Sequence, residues 1–146
     1  MDNAAVSRAC LGNKEAMAFL SIWSAYVHAI DDIIDGDRDS NEDVLKAFAM
    51  AITLYSHPFY LKNLEALRQI AVNCTNCYAD SVAWEKSDVP WQKEWADHYR
   101  HIGQEMVLAV ASICAYPSSY EHLRSLSQEW RTVCWAEHHD QSGKPK

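Results

Sequence analysis

Between His28 and Asp39 the chain places five carboxylates, Asp31, Asp32, Asp35, Asp37 and Asp39, within nine residues. On a helix, positions 28, 31, 32 and 35 share one face, so Asp31, Asp32 and Asp35 converge with the His28 imidazole while the intervening isoleucines point into the core. A helix C-terminus already carries partial negative charge, and each acidic side chain there costs roughly 0.3–1 kcal/mol before mutual repulsion is counted. A cation with hard oxygen preference removes that cost. Mg²⁺ above all, with Mn²⁺ also suited, takes one or two carboxylates and keeps positions open for water and substrate phosphates. The same residues also fit a solvated helix end, with Arg38 and Lys46 as counter-ions.

Two further polar stripes have metal-ligand spacing. His98, His101 and Glu105 recur at i, i+3 and i+7, and Asn76 and Asp80 at i and i+4. Each is equally the wet face of an amphipathic helix. If the stripes face one another, these residues with His28, Asp31 and Asp35 would make a carboxylate and imidazole dimetal site of the kind built inside helix bundles. Arg100, Arg124, Arg131, Lys86 and Lys93 are the available phosphate clamps, with Arg preferred for its bidentate fork.

Asp31-Asp32-Ile33-Ile34-Asp35 resembles the D-D-x-x-D motif of isoprenoid diphosphate synthases and terpene cyclases, and the apolar helix leading into it is similar too. The resemblance implies an all-helical enzyme, with Asp31 and Asp35 as Mg²⁺ ligands and Asp32 as a ligand or neighbour of one. A second acidic motif of those enzymes is partly matched by Cys77-x3-Ser81-x3-Glu85, with Cys in place of Asn or Asp; Asn76-x3-Asp80 lies beside it. By size and architecture the chain is also similar to small all-α nucleotide pyrophosphatases of the dUTPase and MazG groups. Asp32-x2-Asp35, Glu85-x2-Asp88 and Glu94-x2-Asp97 are loose counterparts of their acidic pairs. Both resemblances imply Mg²⁺ acting as a Lewis acid on a diphosphate leaving group. Water attack would make a pyrophosphatase; ionisation of an allylic diphosphate would make a terpenoid-type enzyme.

Other chemistries fail on composition. Asp35, Asp37, Asp39, Asn41 and Asp43 match alternate ligand positions of a calcium loop, but Ser40 stands where Gly is required and Lys46 where a bidentate Glu belongs. There is no Gly-rich phosphate loop or Ser-His-Asp arrangement. Cys10, Cys74, Cys77, Cys114 and Cys134 are an odd set in apolar stretches, which fits buried structural thiols in a reducing compartment.

Periodicity supplies the positioning elements. Apolar residues from Lys14 to Asp35 cover most of a helical wheel, so this helix should be central, and Gly36 stops it. Ser40 with Asp43 resembles a capping box for a second helix to about Ser56. A third is expected from Pro58 and Phe59 to Trp84, a fourth from about Trp91 to Ala115, and a fifth from Ser119 to about His138. Short connections predict an antiparallel arrangement. Most of the six tryptophans should anchor the core; Trp91 and Trp95, one turn apart, offer an apolar or base-stacking pocket or the seam of a homodimer.

With 146 residues, 49% hydrophobic residues and a net charge of −7, the chain fits one domain whose field repels nucleic acid and anionic lipid. Ala16 to Ile30, its longest uncharged run, is shorter than the roughly 20 residues that span a bilayer. The acidic start Met1-Asp2-Asn3 is unlike a signal peptide, so the expected compartment is the cytoplasm. The sequence thus predicts an all-α, single-domain antiparallel bundle of about five helices over 1–146, with loose ends at 1–13 and 140–146. Its expected activity is Mg²⁺-dependent binding, with hydrolysis or ionisation, of a small molecule bearing a diphosphate. The alternative is a non-catalytic helical interaction or dimerisation protein whose acidic helix end serves solubility.

Overall fold

The computed structural model describes the backbone of residues 3–142 apart from residue 39, and the side chains of residues 4–131 with the same exception. Asp39 and Cys134 are named above for their chemistry; Asp39 and the side chain of Cys134 lie outside this description, as does the tail from residue 143. Helices α1 (Asn3–Ala9), α2 (Lys14–Ile34), α3 (Asn41–Tyr55), α4 (Pro58–Lys62), α5 (Leu64–Glu85), α6 (Pro90–Arg100), α7 (Glu105–Cys114) and α8 (Ser119–Ser142) follow one another, with a 3₁₀ turn at Ile102–Gln104 and no strand among the described residues.

Helix starts follow local chemistry. The Asn13 side chain accepts the Ala16 N–H and opens α2, and Ser40 Oγ accepts the Asp43 N–H at 3.1 Å as the capping-box spacing predicts. Pro58 stands in the first turn of α4, behind His57, whose Nδ1 accepts the Phe59 N–H. Gly36, at φ +78°, closes α2: its N–H reaches Ile33 O while the Asp37 N–H reaches Asp32 O, the two bonds of a Schellman end. The aspartates are thereby fixed in the last turns of α2.

Three elements differ from the sequence expectation. Residues 3–9, expected within a loose end, form α1, because Val6 and Ala9, with Cys10 just beyond, reach the core. The expected third helix breaks at Asn63, whose side chain donates to Phe59 O and competes with the helical ladder. The expected fourth helix breaks at residues 102–104. There the carbonyls of Ile102 and Gly103 accept bonds from the Cys74 thiol (3.4 Å) and the Trp23 indole (2.9 Å). Glycine lowers helix propensity at that point, and the two side-chain donors stabilise the break.

The core is centred on α7, which packs against α1, α2, α5 and α8. Phe19, Leu20 and Trp23 of α2 meet Met106, Val107 and Val110 of α7, with Leu67 and Cys74 of α5 and Leu126 and Trp130 of α8 completing the cluster. Full burial on α2 stops at Trp23, so the second half of that helix lies nearer the surface than its apolar sequence suggests. Among the described residues α2 is also the one helix long and apolar enough to cross a membrane, a test that core helices pass as well. Helix α3 is more peripheral: it packs mainly on α2, and Ala47 and Leu54 are its fully buried residues.

Candidate acidic site between α2, α5 and α6

Asp31, in the last turn of α2, and Asp35, the residue capping its C-terminus, both point toward Arg100 at the end of α6. Arg100 Nη2 lies 2.5 Å from Asp35 Oδ1, Nε 3.3 Å from Asp31 Oδ1, and Nη1 2.7 Å from Glu85 Oε1 at the end of α5. The Arg100 side chain is 15% exposed, whereas the three carboxylates are about 40% exposed, so the guanidinium is plugged beneath an open acidic rim. Tyr78 of α5 completes the group. Its hydroxyl donates to Asp31 Oδ1 at 2.6 Å, and the Arg100 guanidinium carbon lies 5.4 Å from its ring centroid.

Electrostatics follow from this geometry. Burial works against the Arg100 charge, but Tyr78, Glu85, Asp31 and Asp35 more than offset it and hold the guanidinium firmly protonated. Burial pushes the Tyr78 phenol well above its ordinary range, and the bond to Asp31 pushes it further. Three carboxylates around one guanidinium leave two negative charges unbalanced at the rim.

The remaining expected ligands go elsewhere. Asp32 pairs with Arg38 (Oδ2 to Nε, 3.3 Å) on the turn after α2. His28 is exposed, with Nδ1 2.7 Å from Ser24 O, and lines a shallow groove of about 570 Å³ with Val6, Met17, Ala18, Ser21, Ser24 and Ala25. Asn76 and Asp80 are exposed on α5, on either side of the Tyr78 that reaches Asp31. His98 is exposed and packs on Trp95, while His101 Nε2 lies 4.0 Å from Asp97. Glu105 makes a two-pronged ion pair with Arg131, both Oε atoms lying 2.9 Å from Nη2, and thereby ties α7 to α8. Among the described residues, no three His, Cys, Asp or Glu side chains stand arranged as a metal-holding group.

Arg100 therefore joins two of the three expected site aspartates, Asp31 and Asp35, while Tyr78 holds Asp31 and Glu85 holds Arg100. Glu85 carried a sequence signal as the last position of the partial Cys77-x3-Ser81-x3-Glu85 motif, and Arg100 was one of five cations with no spacing to single it out. Beside the site lies an aromatic wall: Trp84 stacks on Tyr99 at 5.3 Å and meets Trp91 edge-on at 5.4 Å, and Trp95 packs on Tyr99. Trp91 and Trp95 are about half exposed. Comparison of the chain with protein-family models, curated proteins and solved structures gives no match.

Proposed function

We propose that the acidic rim binds Mg²⁺ and, through it, the diphosphate of a small molecule. The observation that carries this reading is that Asp31, Asp35 and Glu85 all reach one guanidinium: the two ends of one acidic motif and the end of another, 50 residues further along the chain, are gathered around Arg100, though not in a ready-made metal-holding arrangement. Carboxylate oxygens are the donors a hard divalent cation prefers, and the two unbalanced charges at the rim match its charge. In the metal-free protein Arg100 takes the cation's place. Asp31, Asp35 and Glu85 would hold the cation where they now hold Arg100, and the guanidinium, freed from at least one of them, would grip phosphate oxygens in bidentate fashion. A metal held there would supply Lewis-acid stabilisation of a departing diphosphate, and the Tyr78 hydroxyl fixes the position of Asp31. The aromatic wall of Trp84, Trp91 and Tyr99 suits an apolar or base-bearing group carried by that diphosphate. The scaffold in this reading is the expected antiparallel bundle of five long helices, with α4–α5 and α6–α7 each counted as one broken helix.

Thermal unfolding of the full chain with and without Mg²⁺ and pyrophosphate tests the proposal. A ligand at 100 times its dissociation constant adds about 2.7 kcal/mol to folding stability. The expected result is a Mg²⁺-dependent rise in midpoint that pyrophosphate enlarges and Asp31→Asn abolishes. No shift in the parent at millimolar Mg²⁺ and pyrophosphate would leave the cluster as a structural ion network. The alternative, a non-catalytic interaction protein, is favoured by a separate observation, the apolar outer face of α3.

A further inference from the structure

Helix α3 presents a stripe that its own chain covers only at the Tyr55 end, where that ring packs edge-on against Tyr26 and Tyr60. Leu45 and Phe48 are 68% exposed, Ile52 60% and Tyr55 37%, with Val44 alongside at 49%. Leu45, Phe48, Ile52 and Tyr55 are spaced three, four and three apart, the a/d alternation of a helix–helix seam, while Ala47 and Leu54 face inward toward α2. Large apolar residues scattered singly need no explanation, but four in register on one helix do.

We propose that this stripe is the seam of a homodimer in which α3 packs antiparallel against α3 of a second copy. Three observations choose that occupant. First, the stripe is self-complementary. Pairing Phe48 with Ile52 of the second copy also pairs Leu45 with its Tyr55, giving four apolar layers about a dyad near Met50. The small residues Ala49 and Ala51 flank that dyad and let the backbones approach. Second, charge selects the direction. The first turn of α3 carries Glu42 and Asp43 and its last turn no charged side chain, so parallel packing would bring two acidic ends together, whereas antiparallel packing keeps those ends apart and sets the two helix dipoles head to tail. The Lys46–Glu42 pair, 2.8 Å apart and exposed, supplies a polar edge to the seam. Third, the area is adequate. With aromatic side chains contributing up to about 250 Å² each and aliphatic ones somewhat less, the five side chains expose on the order of 500 Å² per copy. Two copies would bury about 1,000 Å², the lower bound for a specific interface, which fits a dimer that dissociates on dilution.

The seam lies on α3, apart from the Arg100 cluster, so its test is independent of the diphosphate reading. Sedimentation velocity of the full chain from about 1 to 200 µM should show a monomer–dimer equilibrium. The double variant Leu45→Glu, Phe48→Glu should weaken association at least about 100-fold with helicity unchanged, because both positions are exposed in the monomer and charged ones cannot be buried in a dry seam. Under mild oxidation Ala49→Cys, next to the dyad, should crosslink to itself. Leu45→Cys should not, since the two copies of position 45 lie about 15 Å apart along the antiparallel axis at 1.5 Å per residue. A parent that stays monomeric across the range, a double variant that associates as the parent does, or crosslinking through Leu45→Cys and not Ala49→Cys would each overturn the proposal.

Discussion

At the scale of single residues, Arg100 is the most consequential side chain outside the apolar core. Its guanidinium lies within bonding or ion-pair distance of three carboxylates from two helices, so Arg100→Ala leaves Asp31, Asp35 and Glu85 facing one another with nothing between them. The carboxylates are partly solvated, which discounts the penalty to about 2 kcal/mol, read as a lowered urea midpoint. Tyr78→Phe removes one charge-assisted hydrogen bond and should cost about 1 kcal/mol. The two variants separate under Mg²⁺. If the metal competes with Arg100 for the rim, the Arg100→Ala protein gains more stability from Mg²⁺ than the parent and loses the extra gain from pyrophosphate. An equal gain in both proteins would place Arg100 outside the ligand site. Asp31 and Asp35 were legible in the sequence because a short motif and a helix face are local properties. Arg100 was not: its pairing with Asp35 spans 65 residues and exists only once α2, α5 and α6 are packed.

At the scale of elements, helix starts were legible and interruptions were not. Ser40 carries the side-chain signal for the start of α3, and Ser40→Ala should cost about 1 kcal/mol, measured by chemical unfolding. The break between α6 and α7 has a different origin. Apolar periodicity continues through residues 102–104, so the sequence reads as one helix. What ends it is a pair of tertiary hydrogen bonds, from Trp23 and Cys74, that occupy carbonyls at the break. Trp23 is also in the core, so Trp23→Phe loses both a hydrogen bond and ring volume and should cost about 2 kcal/mol. The break has a role in the site: it ends α6 at Arg100, directly before the turn, which carries the guanidinium to the end of the helix opposite Glu85. If Trp23→Phe allows α6 and α7 to straighten, Mg²⁺ stabilisation weakens together with folding stability. A Trp23→Phe protein that keeps the full Mg²⁺ response would show that the break and the site are independent.

At the scale of the whole molecule, the perturbed ionisations all point one way. Cys10 and Cys74 are each pushed up to about 12 from an ordinary thiol value of 9.0, first by burial and then by a neighbouring thiol, Cys114 and Cys77 respectively. Tyr55, Tyr60, Tyr78 and Cys114 are also raised, in each case chiefly by burial. A raised acid keeps its proton in the folded protein after the unfolded chain has released it. The stability it contributes is therefore complete below the unfolded value and is lost as pH rises toward the folded one. For the two thiols that window runs from about pH 9 to about 12, and the tyrosines join it above pH 10. Each group that differs in protonation between the states lowers stability by roughly 1.4 kcal/mol per pH unit. The urea midpoint should accordingly fall steeply between pH 9 and 11, and Cys10→Ala with Cys74→Ala should flatten that fall even though the double variant starts from a lower midpoint at pH 7. Because a thiol reacts as its thiolate, the same two cysteines should also resist alkylation in the native protein at pH 8 and become reactive on unfolding. A midpoint that holds constant to pH 11, or native-state labelling of Cys10 as fast as that of a free thiol, would mean that the core around α7 is open to water and that the burial on which this fold rests is incomplete.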